Sequence, residues 1–209
     1  MIRQINLNFR AMVHIGTLLV MLGTLIGCGA NSVTIEGSYP TPTVTKLPLR
    51  VAVYYDQSLK DFTYTEYSET GREEYNIQSG QSHIELFNAV LPGMFDEVVQ
   101  VNSLEEAQGL DVDAVFEPLI EEFQLALPQK TKLDVYEVWI KYNLRLTAPD
   151  GEYIADWVET SYGKTTQESF RSSEASINAA AVIALRDLAS SFTLKFANVP
   201  EVRDWLASL

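Results

Sequence analysis

Between Tyr136 and Leu146 the chain alternates without a break. Tyr136, Val138, Ile140, Tyr142, Leu144 and Leu146 are aromatic or aliphatic, and Glu137, Trp139, Lys141, Asn143 and Arg145 fall between them. Successive side chains of a strand point to opposite faces, so this segment has one apolar face and one polar face carrying Trp139. Ala148-Pro149-Asp150-Gly151 then turns the chain, and Tyr153 to Val158 returns as a second strand. The pattern predicts a long antiparallel hairpin, buried on one side. Period two also runs from Ala114 to Leu125, but Pro118 cannot donate to a ladder, which predicts an edge strand or a bulge there. Leu49 to Tyr55 is apolar on both faces, as a central strand requires, and Phe62 to Tyr67 suits a half-exposed one. A short strand is expected over Glu97 to Val101.

Helical spacing appears twice. Ser82-His83-Ile84-Glu85 fits a capping box, followed by Ile84, Phe87, Ala89 and Val90 or Leu91 on one face, with Pro92-Gly93 ending or kinking the helix. Ser172 or Ser173 caps a longer helix from Glu174 to Phe196, with Ile177, Ala180 or Ala181, Ala184, Leu185, Leu188, Phe192 and Phe196 toward the core. Ser103 caps a single turn through Ala107, and Pro200 opens a short terminal helix. Ser68 to Gln81 and Lys164 to Arg171 read as polar loops. Together these elements predict an α+β domain in two layers. Its sheet is mostly antiparallel, of about five strands, with the long C-terminal helix and a shorter helix packed on one face.

The ends of the chain differ from this domain. Asn31 to Pro48 is rich in Ser, Thr and Pro and has no sustained period, so residues 28–48 read as an extended tether and 49–209 as the single domain. Eighteen extended residues reach about 60 Å at roughly 3.3 Å each. Ahead of the tether, Ala11 to Cys28 (AMVHIGTLLVMLGTLIGC) is an apolar run behind Arg3 and Arg10, too short for the roughly 20 residues that span a bilayer.

The last four residues of that run, Leu25-Ile26-Gly27-Cys28, are similar to the bacterial lipobox, and the chain resembles a bacterial lipoprotein precursor. The resemblance implies a cleaved signal peptide over 1–27, a diacylglyceryl thioether on Cys28, further acylation of the new N-terminus, and attachment to a membrane. Gly29 stands where the family's sorting pattern places Asp for inner-membrane retention, which implies the outer membrane, facing the periplasm. In order of elements the domain also loosely resembles the small periplasmic accessory lipoproteins of envelope assembly and transport machines. That likeness carries no site residue onto this sequence.

Charge narrows the partners. The chain has formal charge −13, and loss of Arg3 and Arg10 with the leader leaves 13 basic against 28 acidic residues. So acidic a surface excludes nucleic acid and electrostatic adsorption to anionic lipid. Cys28 is the sole cysteine, so no internal disulfide and no thiolate metal site can form.

Candidate chemistry is sparse. His83, the one histidine beyond the leader, reads as an exposed polar residue at a helix start, and no G-x-S-x-G elbow accompanies it. Asp111 and Asp113 lack the rest of a calcium loop, and Glu121 and Glu122 point to opposite faces of a strand, so no metal or other cofactor is expected. Trp139, Lys141 and Arg145 are the candidate partner-binding residues, an aromatic and two cations on the polar face of the hairpin. Trp139 and Trp157 lie at similar distances from the turn and are expected to share a face, either as an exposed patch or packed beneath a second layer. The function read from these features is a non-enzymatic interaction module for an envelope complex. The alternatives are a carrier holding an apolar ligand between helix and sheet, and an envelope hydrolase.

Overall fold

The computed structural model describes residues 31–166 and 169–209. The leader, the lipobox and Cys28 lie outside the described residues. In chain order the elements are β1 (Asn31–Thr34), β2 (Leu47–Tyr54), α1 (Gln57–Lys60), β3 (Thr63–Tyr67), β4 (Glu74–Gln78) and α2 (Gly80–Met94). There follow β5 (Phe95–Val101), α3 (Leu104–Ala107), β6 (Ala114–Ala126), α4 (Pro128–Thr131), β7 (Val135–Thr147), β8 (Tyr153–Thr166), α5 (Ser173–Lys195), a 3-10 turn (Phe196–Asn198) and α6 (Pro200–Leu206).

The strands form two open sheets, one of three in the order β1-β4-β3 and one of five in the order β5-β2-β6-β7-β8. In the larger sheet β2 is parallel to both β5 and β6, whereas β6, β7 and β8 are antiparallel neighbours. The α+β class holds, with a mixed rather than mostly antiparallel sheet and a second small sheet beside it. β7 sits between β6 and β8, and its six alternating residues from Tyr136 to Leu146 are all buried.

Pro118 is accommodated in two ways. β2 pairs with β6 only at Ala114, Val115 and Phe116, so beyond Phe116 β6 has a ladder partner on one side alone. The β6–β7 register then shifts between Ile120 and Glu122. A bulge of this kind inserts one extra residue and bends the strand. It also leaves both Glu121 and Glu122 exposed, where strict alternation predicts opposite faces.

α5 packs along β8 and β7 through Ile177, Ala180, Ala181, Ala184, Leu185, Leu188 and Phe192, all buried. Its start is fixed by Ser172, whose Oγ accepts from the Ala175 amide at 3.2 Å. Contact is backbone to backbone at Gly163, where a Cβ would stand 2.1 Å from the Ala180 carbonyl oxygen. By length and composition Ser173–Asn198 would suit a membrane span, yet its apolar face lies on the sheet.

Two segments differ from the sequence reading. Residues 31–48, read as tether, are docked on the domain from Asn31 onward. β1 runs parallel to β4 with Val33 opposite Ile77, and Val33 and Ile35 are each only 3% exposed. Further along, the Glu36 amide donates to Asn178 Oδ1 at 2.8 Å, and the Arg186 guanidinium donates to the Ser38 carbonyl at 2.9 Å. Residues 74–78, read as loop, are β4, and its Tyr75 and Ile77 are buried. β1 has one apolar residue and β4 two, too few to register as a period, and each strand is held by pairing with the other.

Candidate functional site

β7 alternates Trp139, Lys141 and Arg145 onto the sheet face opposite α5, so the structure brings the three together on one surface. Trp139 is 41% exposed. Its register partner on β8 is Tyr162, and the two ring centroids are 4.7 Å apart. The Tyr162 hydroxyl donates to Glu137 Oε1 at 2.7 Å, and desolvation, helped by that carboxylate, pushes the phenol up to about 12. Beside the pair lies a shallow depression of about 250 Å³ lined by Glu122, Gln124, Trp139, Ile140, Lys141 and Thr160.

The two cations are not free. Lys141 Nζ is 2.6 Å from Glu121 Oε2, which holds that carboxyl below its ordinary value. Arg145 Nη1 is 3.1 Å from Glu117 Oε2, and its Nε is 3.7 Å from Asp156 Oδ2. Burial raises the Glu117 carboxyl and Arg145 opposes the rise. The same holds at the sheet's other edge, where Asp111 and Asp113 both serve Arg50: Asp111 pairs with its guanidinium, and Asp113 Oδ2 accepts from its amide at 2.7 Å. Among the described residues no group of three His, Cys, Asp or Glu is placed to hold a metal.

Trp157 does not share the face of Trp139. It pairs with Leu144, whose side chain is buried, and its ring is stacked against Phe192 of α5 at a centroid distance of 6.4 Å. A second contact joins it to Phe196 at 5.9 Å. The turn distances are similar, but the register shift between Leu146 and Thr147 breaks the expected parity. Trp139's aromatic neighbour is therefore Tyr162.

His83 is not exposed. α2 begins three residues earlier than the capping-box reading, at Gly80 after Ser79, which places His83 in its first turn facing the core with no solvent exposure. Its Nδ1 lies 2.7 Å from the Tyr142 hydroxyl and its Nε2 3.1 Å from Ser79 Oγ. Nearby, the Tyr39 hydroxyl and Ser82 Oγ are 2.5 Å apart, so Ser82 bonds across to the 37–46 segment rather than capping the helix. Burial drives the imidazole pKa down to about 3. A serine and a histidine thus do stand within hydrogen-bond distance, but Ser79 is 2% exposed, and no substrate bond can reach that oxygen.

No protein-family profile matches the chain, and no curated protein matches it in sequence. Among solved structures it is similar to a Xanthomonas campestris protein of the DUF330 family, at 13% identity over 78% of this chain and 90% of the other, with a TM-score of 0.49. It is also similar to a minor lipoprotein from Acinetobacter baumannii, at 10% identity over 74% and 94%, TM-score 0.42. A lipoprotein from Neisseria meningitidis follows at 13% identity over 72% and 99%, TM-score 0.33. Likenesses this distant assign no site residue.

The layer between α5 and the sheet is filled by Phe87, Phe116, Trp157, Phe192 and Phe196 in edge-on, tilted or stacked contact. An open groove of about 490 Å³ lies on the outer side of the helix layer, between Pro40–Pro42 and Arg186–Leu194. Sequence reasoning singles out Tyr162 as an aromatic of this hairpin but misses its pairing with Trp139, and it misses the Ser79–His83–Tyr142 chain. Only the register of β7 against β8 points to the first, and the second joins residues 59 apart through packing alone.

Proposed function

We propose that this chain is a bacterial envelope lipoprotein, held to the membrane by lipid on Cys28, that works as a non-enzymatic interaction module. Anchoring is supported by the lipobox-like Leu25-Ile26-Gly27-Cys28 behind a basic, apolar leader. The docking part is carried by one observation: the half-exposed Trp139–Tyr162 pair, on β7 and the edge strand β8, on a sheet face that no long helix covers. An exposed aromatic ringed by ion pairs already satisfied within the domain offers a partner apolar area without charges left to desolvate. The partner is another envelope protein with an apolar projection that fits beside Trp139. Gly29 after the cysteine favours the outer membrane, facing the periplasm.

Two variants test the reading. Cys28→Ser is expected to remain an unprocessed precursor that takes up no labelled palmitate, and equal labelling of variant and wild type overturns the anchoring. Trp139→Ala with Lys141→Gln is expected to fold with a near-native Tm yet to lose envelope proteins that crosslink to the wild type. Retention of every crosslinked protein removes this face as the interface.

A further inference from the structure

The docking of residues 31–48 alters what the anchor can do. Only Gly29 and Ala30 separate Cys28 from the first residue of β1. Three residue steps of fully extended chain span at most about 10 Å, against the roughly 60 Å of a free tether of eighteen. A lipidated Cys28 therefore cannot let the domain range away from the bilayer.

The fold says which end is held. Asn31 opens β1 opposite Tyr75, at the start of β4, and Glu74 of β4 pairs with Tyr67 at the end of β3. Lys130 of α4 is ion-paired with Glu66, which brings the β6–β7 connection to the same end. The Tyr136 hydroxyl donates to Ser173 Oγ at 2.7 Å, adding the starts of β7 and α5. Four independent links thus gather the start of β1, the 68–73 turn, the 128–134 connection and the head of α5 at one pole. From there β7 runs for 13 residues, so the Ala148–Glu152 turn lies about 40 Å away at roughly 3.4 Å per residue.

We propose that this pole rests on the lipid headgroups, with Tyr67 and Leu133 as its contacts, and that the Asp150 turn points away from the membrane. Tyr67 is 50% and Leu133 57% exposed, an aromatic and an aliphatic tip with no burial role in the domain. An aromatic at headgroup depth suits the wet–dry boundary there. Charge does not drive the contact, since Glu69, Glu73, Glu74 and Asp134 accompany Arg72 and Lys132 at this pole. The short link drives it. The inference rests on the lipidation of Cys28.

Because Cys28 is the only cysteine and is consumed by lipid, Leu133→Cys and Asp150→Cys each carry a unique thiol for a fluorophore. The lipidated proteins are placed in phosphatidylethanolamine vesicles with a nitroxide quencher on the headgroup. The label at 133 is expected to lose most of its emission and the label at 150 almost none. A long Gly/Ser insert between Ala30 and Asn31 should restore the signal at 133 while the protein still floats with the vesicles. Vesicle-bound protein with equal quenching at both positions, or quenching unchanged by the insert, overturns the orientation and leaves the anchor standing. Native protein that does not float at all overturns the anchor, and the orientation with it.

Discussion

The Tyr142 hydroxyl lies 2.7 Å from His83 Nδ1, and neither residue has any solvent exposure. With Ser79 Oγ beside the other ring nitrogen, both nitrogens have hydroxyl partners, and complete burial disfavours the charged ring. Folding therefore keeps neutral a ring that the unfolded chain protonates near 6.5.

From this follows an acid sensitivity with a defined sign. The folded pKa is depressed to about 3, so the contribution is complete above pH 6.5 and is lost as pH falls from 6.5 toward 3. The full loss is on the order of 4–5 kcal/mol at 1.36 kcal/mol per pKa unit. Most carboxylates titrate below about pH 5, which leaves the window above it to His83. The urea midpoint of the wild type is expected to fall between pH 6.5 and about 5, and that of His83→Gln to stay flatter. Parallel slopes in the two proteins would show that another group carries the sensitivity.

Trp139 and Trp157 are expected to separate in a stability measurement. Trp157 fills the layer between β8 and the end of α5, so Trp157→Ala should cost about 3–5 kcal/mol. Among the described residues Trp139 has one aromatic neighbour, the tilted ring of Tyr162, and it is 41% exposed, so Trp139→Ala should cost about 1 kcal/mol or less. Chemical denaturation of the two variants side by side checks this. Equal losses would mean that Trp139 is a core residue and not a docking one.

What was legible in the sequence was whatever repeats. β7 presents six alternating buried positions, and α5 buries a stripe at helical spacing, so both are readable from the sequence. β1 holds one buried residue, Val33, and β4 two, Tyr75 and Ile77, and each becomes a strand only because the other is there. His83 reads as exposed for a related reason. Its surroundings are set by Tyr142, 59 positions away, and local capping rules say nothing of that contact. The candidate face was legible as a list, Trp139, Lys141 and Arg145, but not as chemistry. Bulges in β6 and near Thr147 decide which carboxylates meet the cations and which tryptophan meets the helix.

Arg145 offers a test of whether that face is structural or functional. Glu117 is 8% exposed and its carboxyl is already raised by burial. Removing Arg145 raises it further, and a raised folded pKa is worth most below the unfolded value and is lost as pH rises through the folded one. Arg145→Ala is therefore expected to be less stable than wild type by about 1–2 kcal/mol at neutral pH, a modest figure because the Arg145 side chain is partly solvated. The deficit should shrink as pH is lowered toward the ordinary Glu value. The double variant Arg145→Ala, Glu117→Gln should recover most of it at neutral pH, and failure to recover removes Glu117 as the cause.

The segment ahead of β2 gives the sharpest contrast, because it holds two valines in opposite settings. Val33 is 3% exposed in β1, opposite Ile77, while Val44 is 43% exposed in the stretch between Pro42 and β2. If residues 31–48 were a free tether, neither position would matter to folding. With β1 docked, truncating Val33 removes two buried methyl groups and opens a cavity against Ile77, at about 1–2.5 kcal/mol. Val44→Ala should stay within about 0.5 kcal/mol, as at other exposed sites. Polar substitution widens the gap, since Val33→Asn buries an amide with no partner provided for it, whereas Val44→Asn places the same group in water. Proteolysis reports the outcome directly: in the Val33→Asn protein the bonds around Ser32 to Ser38 should become cleavable, with the rest of the domain still resistant. Ready cleavage of this segment in the wild type and in both variants alike would return it to a tether, and the short-leash orientation would fall with it.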